Sequence, residues 1–190
     1  LGPEFSVVDV GELRTAPTVE ETGSTFEENA RLKANTLSRL WPGWVVADDS
    51  GLEVAALGGA PGVYSARYAG DNATDRENIL TLLRALQATG GTDRRARFHC
   101  AIALARGGET VAVFHGTVEG SIALSPKGMS GFGYDPVFVP NGYAQTFAEL
   151  GELVKNKLSH RARAVAQLRE DLLRRSATER SPERPAAELS

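Results

Sequence analysis

The chemistry of this chain starts at two adjacent carboxylates. In Trp44-Val45-Val46-Ala47-Asp48-Asp49-Ser50-Gly51-Leu52 an apolar run meets two acids, a hydroxyl and a glycine, the pattern of a short buried strand that ends in a polar site. Side chains alternate faces along an extended strand, so Asp48 and Asp49 share one ligand only if the backbone turns there. Gly51 is the residue that lets it turn. Neighbouring carboxylates repel, and a hard cation such as Mg²⁺ relieves the repulsion through oxygen ligands. The stretch is therefore a candidate metal and general-base site. Its plainer reading is an acidic loop in which Asp48 or Ser50 caps the next turn.

The elements on either side must position those acids. Upstream, Thr25 followed three residues later by Glu28 is a capping-box pattern, and an amphipathic helix through about Leu40 follows, stopped by Pro42 and Gly43. Phe26, Ala30, Ala34, Leu37 and Trp41 form its apolar stripe, with Lys33 near the middle. A buried ammonium is costly without an anion, so Lys33 either snorkels outward or faces a carboxylate or phosphate. Glu28 is the capping-box acid and, at a helix start near a cleft, also a candidate metal ligand.

Downstream, Gly58 to Gly70 is glycine-rich and aromatic but is neither a dinucleotide fingerprint nor a P-loop. It reads as a connection packed by Tyr64 and Tyr68. A core helix from about Asp75 to Thr89 follows, with Ile79, Leu82, Leu83 and Leu86 on one face. Ala96 to Ala105 and Thr110 to Glu119 form a hairpin around Arg106-Gly107-Gly108-Glu109. His99 and His115, inside those strands, read as structural. A second glycine-rich loop, Lys127 to Asp135, runs into the strand Pro136 to Pro140. Glycines flanking Phe132 permit close approach by a planar ligand, and Asp135 could accept hydrogen bonds from a base edge or ribose. The alternative is an ordinary turn before an edge strand. Ser159 is the expected N-cap of the last helix. Basic residues at a helix start oppose the macrodipole, and a bound polyphosphate reverses that penalty, so Lys155, His160 and Arg161 form a candidate anion pocket.

At 190 residues the chain is one domain or two small lobes. A net charge of -3 implies neither a nucleic-acid footprint nor a membrane-surface patch, and no apolar run reaches membrane-spanning length. The first residues lack the pattern of a signal peptide. The lone Cys100 cannot form an internal disulfide, which fits a reducing cytoplasm. Phe5 to Val10 suits a short strand, followed by a polar loop through Thr22. We expect one domain over residues 1–175 and a disordered polar tail over 176–190.

Several stretches in one order resemble a known family: Thr25-Phe26-Glu27-Glu28-Asn29-Ala30, Lys33-Ala34, Ala47 to Leu52, Gly59 to Arg67, Gly131-Phe132-Gly133-Tyr134-Asp135-Pro136 and Ser159-His160-Arg161. They look like the inosine/xanthosine triphosphate pyrophosphatases, the Ham1-like house-cleaning enzymes, from about Glu21 to Leu172. The resemblance implies an α/β fold with a mixed twisted sheet flanked by helices, two lobes with a nucleotide cleft between them, and a homodimer. It implies Mg²⁺-dependent hydrolysis of ITP, dITP and XTP to the monophosphate and pyrophosphate. By the same resemblance Asp49 is metal ligand and general base, Glu28 assists the metal and Lys33 neutralises phosphate charge. Ser50 touches the substrate, Phe132, Gly133, Tyr134 and Asp135 hold base and sugar, and Lys155, His160 and Arg161 bind base or phosphates. Asp48 is a further candidate metal support. Family members open with a strand and a Ser/Thr-x-Asn-x-x-Lys loop that grips the triphosphate, and nothing upstream of Glu21 matches it. The alternative expectation is therefore a nucleotide-binding remnant without turnover.

Overall fold

The alternation of apolar residues on either side of Gly107-Gly108 builds the hairpin on which the molecule rests. Both glycines adopt positive φ, 63° and 91°, which a two-residue hairpin turn requires. In the computed structural model, which describes residues 1–12 and 17–180, the hairpin strands are β2 (Arg95–Arg106) and β3 (Glu109–Ile122). The site strand, β1 (Val45–Val54), pairs with β2, and a short β4 (Phe138–Pro140) pairs with the far end of β3. The sheet order is β1-β2-β3-β4, and every described pairing is antiparallel. The helices are α1 (Phe26–Ser38), α2 (Asp75–Ala88), α3 (Phe147–Leu150), α4 (Glu152–Leu158) and α5 (His160–Arg180).

Helices cover both faces of the hairpin's turn end, giving the mixed α/β architecture expected. On one face Phe26, Ala30 and Ala34 of α1 pack on Ala101, Ala103 and Ala105 of β2. On the other, Ala164, Leu168 and Leu172 of α5 pack on Cys100, Ile102, Leu104 and Phe114. Small residues on one side and large ones on the other let α1 lie close to the sheet. At the opposite end of the hairpin Leu82 and Leu86 of α2, Phe98, Val118, Phe138 and Phe147 form a separate cluster, the core of the second lobe. Each fully buried Leu or Phe in these clusters contributes about 2 kcal/mol or more of burial energy.

Several expectations are corrected. Phe5 to Val10 forms no strand: it runs from a bend through irregular backbone into a short 3-10 helix at Val10–Glu12. Helix α1 stops at Ser38, and Trp41 is 41% exposed while Asn29 and Ser38 are buried instead. Residues 176–180, expected to open a disordered polar tail, belong to α5, which continues to Arg180; the rest of that expected tail, residues 181–190, lies outside the described residues. The largest correction concerns β1. It does not end at the acids but runs straight through them for 10 residues, so the backbone makes no turn at Gly51. That glycine serves close packing: a Cβ there would lie 2.5 Å from Ser65 Oγ, 2.6 Å from the Gly62 carbonyl and 2.7 Å from the Phe26 ring.

Candidate active site

An extended strand sends Asp48 and Asp49 to opposite faces of the sheet. Asp49, opposite Ala101 in the register, points toward α1 and is 9% exposed. Its Oδ1 accepts from Lys33 Nζ at 3.0 Å and its Oδ2 from Asn29 Nδ2 at 3.2 Å. Lys33 also donates to Glu21 Oε1 at 2.8 Å, so the ammonium on the apolar stripe bridges two carboxylates. Burial lowers the Lys33 pKa, but the hydrogen bonds and charges of Glu21 and Asp49 outweigh it and leave the group raised. Burial pushes the Asp49 carboxyl up, and Lys33 and Asn29 only partly offset the loss of water. Such a carboxylate accepts a proton more readily than an exposed one, as a general base must.

The neighbouring acid has a different environment. Asp48 Oδ2 accepts from Arg161 Nε at 3.0 Å, Arg161 Nη2 at 2.7 Å and Ser50 Oγ at 3.2 Å. Arg161 reaches it because α5 starts hard against β3. A Cβ on Gly116 would lie 1.9 Å from the His160 carbonyl oxygen and 2.7 Å from the Ala164 nitrogen, so only glycine admits this approach. The Ser159 hydroxyl accepts from Ala162 N–H at 3.2 Å, the expected cap.

The second glycine-rich loop closes the group. Phe132 is 61% exposed, with Lys155 Nζ 4.0 Å and Arg161 Cζ 5.9 Å from its ring centroid. Asp135 is buried, accepts from the Phe132 amide at 3.0 Å and pairs with Lys155. A Cβ on Gly131 would strike the Asp135 carboxylate. An exposed flat ring with two cations beside it makes a platform for a planar, anionic ligand.

The predicted residues therefore fall into two groups joined by β1. Asp49, Lys33 and, one residue before Asn29, Glu28 lie on the α1 side. Ser50, Phe132, Asp135, Lys155, His160 and Arg161 lie on the other. Four of these residues are placed differently from a simple contact role. Tyr134 is 3% exposed and donates its hydroxyl to the Ser65 carbonyl at 2.9 Å, so its ring belongs to the core. Gly133 has its amide on Asp75 Oδ2 at 2.6 Å. His160 stacks on Phe98 at 4.8 Å, and its Nδ1 is buried without a hydrogen-bond partner. Burial, then the charges of Arg161 and Lys155, push its pKa down to about 3, so the ring is neutral at physiological pH. Glu28 Oε2 accepts from the Ser24 amide at 2.7 Å and hydroxyl at 2.8 Å, so its capping contact is one residue earlier than expected. His99 and His115 pair with each other at 3.2 Å, and His115 lies 3.1 Å from Glu27, apart from these groups. Sequence reasoning missed Glu21, Asn29 and the Asp48–Arg161 pair. For Asn29 the signal was a polar residue next to Lys33 on the helical wheel, at the edge of the apolar stripe; the other two carried none.

The chain belongs to the Ham1 family, whose model matches residues 2–171. It is 50% identical to a Bacillus licheniformis dITP/XTP pyrophosphatase over 163 residues, 86% of this chain and 82% of that protein. It is 54% identical to a Geobacillus kaustophilus dITP/XTP pyrophosphatase over 155 residues, 82% and 76% of the two chains. The solved structure of the Staphylococcus aureus Ham1 protein superposes with a TM-score of 0.84 at 47% identity, covering 91% of this chain and 89% of that one.

Proposed function

We propose that the chain hydrolyses deaminated purine nucleoside triphosphates, dITP, ITP and XTP, to the monophosphate and pyrophosphate. The observation that carries this is the buried Asp49 held between Lys33 and Asn29, in a chain half identical to dITP/XTP pyrophosphatases. Asp49 takes a proton from water as the water oxygen bonds to the α-phosphorus and the bond to the pyrophosphate oxygen breaks. Lys33 moves its hydrogen bonds toward the phosphates, Phe132 stacks with the base, and Lys155 and Arg161, beside that ring, donate hydrogen bonds to base oxygens or to phosphate.

Mg²⁺ dependence is part of the proposal. No group of three or more His, Cys, Asp or Glu side chains among the described residues is arranged to cage a metal. Mg²⁺ needs no such cage, since it keeps waters and takes one or two carboxylates plus substrate phosphates. The buried Asp49 carboxylate and Glu28, exposed at the start of α1 with Ser24 on its Oε2, would supply the hard oxygens. When bound there, the ion neutralises phosphate charge and lowers the pKa of its water. We further propose a homodimer in a reducing cytoplasm, which suits the buried, reduced Cys100. No described helix is long and apolar enough to cross a membrane.

The test is pyrophosphate release from ITP, XTP, GTP and ATP with and without Mg²⁺. Fast turnover of ITP and XTP and slow turnover of GTP and ATP, only with Mg²⁺, is the expected result. Nucleotide binding with no turnover would replace this reading with that of a binding protein.

A further inference from the structure

The hydrogen bonds of Asp48 assign it a task separate from metal binding. One of its oxygens receives Nε and Nη2 of Arg161, at 3.0 and 2.7 Å, and the Ser50 hydroxyl at 3.2 Å. Arg161 is otherwise a long side chain on the first turn of α5, and an arginine carries roughly 2 kcal/mol of rotamer entropy. Two N–H groups converging on one carboxylate oxygen hold the guanidinium plane, while the Nη1 edge and the second Nη2 hydrogen remain for a ligand. The direction in which they are held is informative, since Arg161 Cζ is 5.9 Å from the Phe132 ring, which Lys155 also faces.

The fold gives this pair its precision. Asp48 sits mid-strand on β1, opposite Ile102 of β2, while Arg161 sits on a helix whose first turn touches β3 at Gly116. Neither backbone can shift without disturbing the sheet. Asp48 and Arg161 are also 38% and 42% exposed in their side chains, so the pair lies at the surface of the cleft and not in the core. A pair so exposed adds little to stability, which leaves preorganisation as its main effect.

We infer that Asp48 is a positioning residue, which holds Arg161 ready for the nucleotide and does not itself ligate the metal. The inference rests on the nucleotide reading of the site. It predicts that Asp48→Asn raises KM for ITP by about five- to tenfold, the scale of one partly exposed charge-assisted contact, and changes kcat by less than about twofold. In an Arg161→Ala background the same substitution has no further effect. Arg161→Lys, which keeps the charge but cannot place two N–H groups on one oxygen, raises KM as Asp48→Asn does.

The experiment is a double-mutant cycle over Asp48→Asn, Arg161→Ala and their combination, with KM, kcat and half-saturating Mg²⁺ measured for each, and equilibrium ITP binding by calorimetry in parallel. A KM-confined loss that vanishes in the Arg161→Ala background supports the inference. A loss that persists there, a shift in half-saturating Mg²⁺, or an unchanged or lowered KM overturns it. Calorimetry separates the two claims. If the parent binds ITP without hydrolysing it, the proposed reaction fails and the cycle is read from Kd. If the parent turns over and Asp48→Asn matches it, the reaction stands and the positioning role fails. If the parent binds no purine triphosphate, both fall.

Discussion

The two faces of β1 carry adjacent acids that do opposite things. Asp49 looks toward α1, is buried, and meets an amide and an ammonium from one helix. Asp48 looks toward α5, is partly exposed, and meets a guanidinium from a helix more than a hundred residues away. The residue type is the same and the backbone is continuous. The difference comes from the strand's two-residue period, which hands each acid to a different helix. Burial raises the proton affinity of one, and a surface partner ties the other to a guanidinium. A shared metal between the two, the reading that adjacent carboxylates suggest, is excluded by geometry as long as β1 stays extended.

The comparison breaks most severely at Asp49. We expect Asp49→Asn to keep its size and its Asn29 and Lys33 neighbours while lowering kcat for ITP about a thousandfold or more, because no general base remains. Steady-state pyrophosphate release measures this, and turnover within tenfold of the parent would remove Asp49 from the base role. Lys33→Met keeps the apolar stem and removes the charge that faces Asp49 and Glu21. A loss of about 10- to 100-fold in kcat/KM is expected, and an effect no larger than that of a surface lysine would mean Lys33 serves the fold alone.

Glu28→Gln sharpens the comparison on the α1 side. Its capping bonds to Ser24 remain available to an amide oxygen, so stability should change little, while half-saturating Mg²⁺ rises about tenfold. A melting temperature that drops with no change in Mg²⁺ response would make Glu28 a cap only. On the Asp48 side, His160 is the titration probe. Its folded pKa of about 3 lies below the ordinary value of about 6.5. Between these values the unfolded chain binds a proton that the folded chain refuses, so stability rises with pH across that window and is lost as pH falls from 6.5 toward 3. Urea melts at pH 4.5, 5.5 and 6.5 should show a slope that His160→Gln reduces by up to about 1.4 kcal/mol per pH unit. An equal slope in both proteins would place His160 in contact with water.

Local pattern made much of this legible. The Gly107-Gly108 hairpin, the α2 helix and the Ser159 cap all follow from neighbours a few residues apart, where propensity, period and charge act directly, while the stripe of α1 left Lys33 either to snorkel or to meet an anion. The motif order of the resemblance carried the family. What the sequence could not decide was where the strand stops and which faces its residues take: Asp48-Asp49-Ser50-Gly51 reads as an end because polar residues interrupt an apolar run. In the folded chain β2 pairs with all of it, and each acid finds a cation, so the strand continues. Gly51 likewise reads as a point of freedom and turns out to be a point of contact with Phe26 and Ser65, and Gly116, which the sequence did not single out, is required by the α5 backbone beside it. The sequence by itself therefore determined the elements and the chemical types at the site. Only the tertiary structure decided which acid met which cation, because that pairing joins β1 to two helices far apart in the chain and depends on which face of the sheet each one covers.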